Sequence, residues 1–232
     1  MGAFVQKFTA ENAAAQASGV GVSTASTAVT GGNCLTVFVG YHNDLARPES
    51  ESVSDGTNTY VEQGVVTNDT TSNWFVKKFV AKNITGGTRA VTFVTADGNN
   101  FRSITVVESS GGDTTAPVDN KQGNFQATPG TGADAVTSGA ALASTGAGLL
   151  IALSSDTGGN IAAPTAGTGM TDQGTAWTVT TAPSRVVTKV YASGTQQALF
   201  TAGNNVGHST MIVLIKDQVA AVATPLMGQI CT

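Results

Sequence analysis

The chain has 232 residues, enough for one large all-β domain or two domains of ordinary size, and either can bury a core. Only 11% of the residues are charged, against about 25% in a typical globular protein; Gly, Thr, Ser, Ala and Asn fill the space, a composition of strands and turns with few helices. A net charge of −4 with 11 scattered Lys and Arg offers no basic patch to a phosphate backbone, and no apolar run reaches the roughly 18 to 20 residues that span a bilayer, so nucleic-acid binding and membrane insertion are not expected.

The opening "MGAFVQKFTAEN" has no basic region followed by an apolar one, and Gln6 breaks the myristoylation pattern. The chain is therefore expected to be made and kept in the cytoplasm, or released without a cleaved signal. Short β-like runs follow in order: "AFVQKF", "CLTVFVGY", "NTYVEQGVV", "WFVKKFVAK", "RAVTFVTA" and "RSITVVESS", rich in Val, Phe, Tyr and Thr. Separators such as "SDGTN", "NITGG" and "ADGNN" carry the Asp-Gly and Gly-Gly pairs of tight hairpin turns. In "WFVKKFVAK" alternation puts Phe75, Lys77, Phe79 and Ala81 on one face and Val76, Lys78, Val80 and Lys82 on the other, the second being the face expected to meet solvent. Cys34 reads as a small buried thiol, and the glycosylation sequons at Asn68 and Asn83 as surface turns.

After "GGDTTAPVDN", where Pro117 argues against a central strand, the pattern restarts. The runs "TPGTGADAVTSG", "GLLIALSS", "GTAWTVTT", "SRVVTKVYAS", "QALFTAG" and "HSTMIVLIKD" repeat the order of the first half. Matching Leu35 to Leu150, Phe79 to Val190 and Val106 to Val213 gives a separation that shrinks along the chain, as shorter loops in a second copy would produce. The expectation is an all-β chain of two tandem antiparallel β-sandwich or jelly-roll-like domains from an internal duplication: residues 1–112, a linker at 113–120, residues 121–217, and a C-terminal extension at 218–232.

Candidate chemistry centres on "YHND", where His42 follows a strand and Asp44 stands close enough in sequence to orient it. No nucleophile elbow accompanies it, so a loop histidine is the stronger reading and a hydrolase the weaker. His208 and Arg102 each follow an Asn-Asn turn and precede an apolar strand, which suggests a structural role at the start of that strand. Glu49, Glu51 and Asp55 lack calcium-loop spacing, and no glycine motif fits a nucleotide. No catalytic residue, metal ligand or cofactor is expected. Tyr41, Tyr60, Trp74, Trp177 and Tyr191 are candidates for stacking on a sugar, with core packing the stronger reading for the tryptophans. Tyr41, His42, Asn43, Asp44 and Trp74 are the candidate partner or glycan contacts. Leu226, Met227, Ile230 and Cys231, in the apolar tail "QVAAVATPLMGQICT", are candidates for a contact between subunits, with Cys231 a candidate for pairing there.

Ser52-Val53-Ser54-Asp55 with Asn58-Thr59-Tyr60, and Ala81-Lys82-Asn83 with Gly86-Gly87, resemble the turn-and-strand signatures of β-sandwich modules in phage virion proteins and bacterial surface proteins. The resemblance covers roughly residues 3 to 110, and the second half keeps the turn-strand shape in "PTAGTGMTDQGTAW" without those residues. It implies a β-sandwich fold and a non-enzymatic structural protein of a bacteriophage virion. Such a protein would be a capsid decoration (cement) protein first, assembled in the host cytoplasm with copies of itself and other virion proteins. The alternatives are a tail-fibre or receptor-binding protein, or a carbohydrate-binding module contacting host surface glycan.

Overall fold

The computed structural model describes residues 1–12, 14, 16–42, 51–64, 67–69, 73–96, 101–157, 163–178, 182–204 and 206–218. In the first half the strands are β1 (Ala3–Asn12), β2 (Val22–Ser23), β3 (Thr27–Val29), β4 (Cys34–His42), β5 (Glu51–Ser54), β6 (Val61–Glu62), β7 (Thr67–Asp69), β8 (Trp74–Ala81), β9 (Gly87–Arg89), β10 (Thr92–Thr95) and β11 (Arg102–Ser110). The second half holds β12 (Val118–Gln126), β13 (Gly132–Thr137), β14 (Leu142–Ser144), β15 (Gly148–Asp156), β16 (Thr165–Ala166), β17 (Thr171–Thr175), β18 (Ser184–Tyr191), β19 (Gly194–Gln196), β20 (Leu199–Ala202) and β21 (His208–Lys216). All pairings are antiparallel.

Each half is a large sheet facing a small one. The large sheets run β1-β11-β4-β8-β6 and β12-β21-β15-β18-β17; the small ones run β2-β10-β5 and β13-β20-β16; ribbons β3-β9 and β14-β19 complete each half. The order is the same strand for strand, with β7, paired to β8, an addition of the first half. The ladders also agree in register. Arg102 lies between Asn12 and Tyr41, and His208 between Gln126 and Asp156. The first strand of each half is irregular at matching places, between Phe4 and Gln6 and between Val118 and Asn120.

Side-chain bonds repeat with the ladders. Gln6 donates to the Ala28 carbonyl (2.6 Å) and Asn120 to that of Ala143 (3.0 Å). Val91 N–H donates to the Thr24 hydroxyl, and Ala198 N–H to that of Ser138, both at 3.0 Å. Lys77 pairs with Glu62 (3.6 Å) and Arg185 with Asp172 (2.7 Å) at equivalent ladder positions. The fold is duplicated, as the restart of the sequence pattern suggested.

The expected residue matches hold for Leu35 with Leu150 and slip for the other two. By ladder register Phe79 corresponds to Val187 and Val106 to Ile212. An odd slip moves a side chain to the opposite face, and Val-rich strands give little warning of it. Phe79 and Val106 face the small sheet of their own half, whereas Val213 lies on the other face of its sheet.

That other face is covered. Phe38, Trp74, Val76, Val80 and Val107 from the first large sheet share one buried cluster with Leu149, Ile151, Leu153, Val186, Met211, Val213 and Ile215 from the second. The molecule is thus four layers deep: small sheet, large sheet, large sheet, small sheet, with a core in each half and a third core between the halves. The expectation that Val76, Lys78 and Val80 meet solvent is therefore corrected; Lys78 is 0% exposed. β4, β15 and β21 read as nearly unbroken apolar runs for the same reason, being buried on both faces.

Three boundaries also move. β12 starts at Val118, so the end of the expected linker 113–120 is already strand. Of "NTYVEQGVV" only Val61 and Glu62 form a strand, with residues 65 and 66 outside the described set. The run "GTAWTVTT" is displaced, since β17 ends at Thr175 and Trp177 follows it.

Candidate functional site

The end of β4 carries the residues singled out in the sequence. Tyr41 is fully buried, stacked on Phe75 (ring centroids 5.3 Å apart, planes 17° apart) and tilted against Phe93. Its hydroxyl donates to Glu51, which also accepts from Lys77. The Glu51 and Lys77 side chains are 1% and 7% exposed, so this is a buried charge pair whose oxygens are engaged from two sides, the arrangement that offsets the desolvation of such a pair. Glu51, read from sequence as part of a charged loop, is a structural carboxylate. In the second half Arg185 stands in place of Lys77 and donates to the Pro164 carbonyl (3.0 Å), so a backbone oxygen does the work of Glu51.

His42 is half-buried, pairs with Trp74 on β8, and donates its backbone N–H to Phe101 (3.2 Å). Asn43 and Asp44 lie outside the described residues. Trp74 is 2% exposed within the core between the halves; its ring has no face to offer a sugar, which corrects its place among the glycan contacts. Trp177 is buried in the same core. Leu226, Met227, Ile230 and Cys231 lie outside the described residues. Arg102 is buried and donates to the Ala17 carbonyl (3.0 Å), with burial lowering its pKa. His208, its counterpart, is 1% exposed, and neither ring nitrogen has a hydrogen-bond partner among the described residues; burial lowers its pKa to about 4. Both residues are buried at the equivalent first position of their strand, β11 and β21.

Two carboxylates not foreseen as important organise the first half. Glu108, fully buried on β11, accepts from Gln6 Nε2 (2.6 Å), Thr30 N–H (2.8 Å) and Asn33 Nδ2 (2.6 Å), tying three segments together. Its equivalent in β21 is Leu214, so the polar knot belongs to one copy. Asp55 accepts from Thr57 N–H (2.9 Å), Asn58 N–H (2.7 Å), Asn58 Nδ2 (2.6 Å) and the Tyr60 hydroxyl (3.1 Å). Burial opposes the charge of Asp55, yet these bonds outweigh it and hold its pKa below the ordinary value. Asn58 Oδ1 then accepts from Thr85 N–H (2.7 Å), joining the Ser52–Tyr60 signature to the Asn83–Gly87 one. A shallow cavity of about 330 Å³ lies between them, lined by Thr57, Asn58, Thr59, Val61, Lys82, Asn83 and Thr85.

Among the described residues no cluster of three or more His, Cys, Asp and Glu is placed to hold a metal ion. No helix among them is long and apolar enough to cross a membrane. No family model and no curated protein matches the chain. Among solved structures, the major capsid protein P2 of bacteriophage PM2 aligns over 94% of this chain and 98% of its own, with 12% identity and a TM-score of 0.23, too low a similarity to carry fold or function across.

Proposed function

We propose that this chain is a non-enzymatic structural protein of a bacteriophage virion, a capsid decoration protein assembled beside copies of itself and other virion proteins. The observation that carries the reading is what the buried polar side chains do. Glu51 accepts from Tyr41 and Lys77, Glu108 from Gln6, Thr30 and Asn33, and the half-buried Asp55 from its own turn, fixing loops and strand ends. Such networks rigidify a scaffold when their members are satisfied. A rigid four-layer block with signature turns knitted into its frame suits a part whose task is to hold position on a particle. Its candidate contact residues are His42, Asn43 and Asp44, a sequence that the first copy alone carries.

The test is to image native particles with an antibody fragment against this chain. Regular lattice positions on the capsid shell are the expected result, and label confined to a tail tube or fibre would replace decoration with a tail role. A glycan array with the purified protein is expected to stay blank, and saturable binding to one sugar class would move the reading to a carbohydrate-binding module.

A further inference from the structure

The contact between the two halves has a symmetry that neither half has alone. Lys7 on edge strand β1 donates across the seam to the Thr175 carbonyl at the end of β17 (2.5 Å). Lys121 on edge strand β12 donates back to Gln63 Oε1, just past β6 (2.9 Å). By ladder register Lys121 is the counterpart of Lys7, partnered to Val213 where Lys7 is partnered to Val107. Likewise β17 is the counterpart of β6. The same pair of elements therefore meets twice, with the roles of the halves exchanged, which is the signature of a two-fold, isologous contact.

The buried layer repeats the pattern. Phe4 and Val118, Phe38 and Leu153, Trp74 and Ala182, Val107 and Val213 are equivalent positions, and all eight side chains pack in the core between the halves. The faces are not identical: the first half presents Thr36, Thr105 and Ser109, whose buried hydroxyls find no partner among the described residues, where the second presents Ile151, Met211 and Ile215, and the second presents Ser184 and Thr188 where the first presents Val76 and Val80.

We propose that the large-sheet face of this unit is a self-recognition surface whose partner is a second unit of the same fold, and that this chain carries that partner covalently, as a joined two-fold dimer. The connector is not what holds the pair. It crosses at one end, where Asp113 and Lys216 pair at 3.7 Å, and its Thr115 and Ala116 are exposed.

The test uses the full chain with a protease site inserted between Thr115 and Ala116. After cleavage, native mass spectrometry is expected to find one first half bound to one second half, at the mass of the uncut chain plus one water. Emission from Trp74 and Trp177, both in the seam core, should stay at its uncut wavelength. Lys7→Ala and Lys121→Ala should each weaken the cut complex by a similar factor, about three- to tenfold, as the loss of one hydrogen bond implies. Separation of the cut halves into folded monomers overturns the proposal, and so does a cut complex weakened by only one of the two lysine variants.

Discussion

Lys78 and His208 are ionisable groups placed where charge is expensive, and each leaves a mark on how stability varies with pH. Burial lowers the Lys78 pKa to about 7, with the nearby Lys121 adding to the effect, while the amine donates to the Gln122 carbonyl at 2.7 Å. Between pH 7 and about 10 the unfolded chain binds the proton that the folded chain has released, so this group makes stability rise with pH, by an amount on the order of a few kcal/mol. Lys78→Met keeps the volume and removes the titration. Chemical-denaturation midpoints of the variant should rise less than those of the parent between pH 7 and 10, and parallel curves would refute the assignment. His208 acts in the acid range. Its folded pKa of about 4 lies below the ordinary 6.5, so its stability contribution is complete above pH 6.5 and is lost as pH falls toward 4, a loss of about 3 kcal/mol. The midpoint of His208→Leu should fall less steeply than the parent's over that window.

Strands show which parts of a sequence announce themselves. β4, β8, β11, β15, β18 and β21 were legible because centre strands buried on both faces concentrate Val, Leu, Ile and Phe. That density also hid register, since an unbroken apolar run has no polar alternate to mark its faces, and Phe79 was matched to the wrong partner. β12 was missed for the opposite reason: "VDNKQGNFQ" is polar and half-buried, an edge strand defined by its ladder to β21 more than by its residues. Lys78 was misread because alternation assigns a polar face to water, and only the second large sheet shows that water is absent. The turns were legible in kind but not in consequence. Asp55 stands out in the sequence as part of an Asp-Gly turn, whereas its four hydrogen bonds and the Asn58–Thr85 link depend on backbone geometry that residue types alone do not specify. Asp55→Ala should cost about 2 kcal/mol, and Asn58→Ala about 1 kcal/mol, in urea denaturation. The ribbons give a matched pair of tests. Gly87 and Gly194 are equivalent and hold φ of 116° and 127°, a region hostile to any Cβ. Alanine at either should cost about 1–2 kcal/mol, and a large disparity between them would count against equivalent strain in the two copies.

For the whole molecule the question is whether two halves built alike behave as two domains. Most tandem domains meet through small, fairly polar contacts and move independently. Here the contact holds a continuous apolar core drawn from both halves, and both tryptophans sit in it. Each large sheet therefore needs the other half to cover one of its faces, and unfolding one half alone would expose the buried Val, Ile and Leu side chains of its partner at about 25 cal/mol for every Å² uncovered. The chain should accordingly unfold in a single transition, with calorimetry, far-ultraviolet dichroism and tryptophan emission coinciding. Gly40 offers a way to split it. A Cβ there would come within 2.7 Å of Trp74 and 2.9 Å of Trp177, one ring from each half, so Gly40→Ala drives a wedge into the seam and leaves the two outer cores untouched. The variant should lose about 1–3 kcal/mol. Its tryptophan emission should change at a lower denaturant concentration than its backbone dichroism, because the seam yields before the sandwiches do. Coincident curves in the variant would mean that neither half stands without the other, and two separate transitions in the parent would mean that the shared core does not couple them.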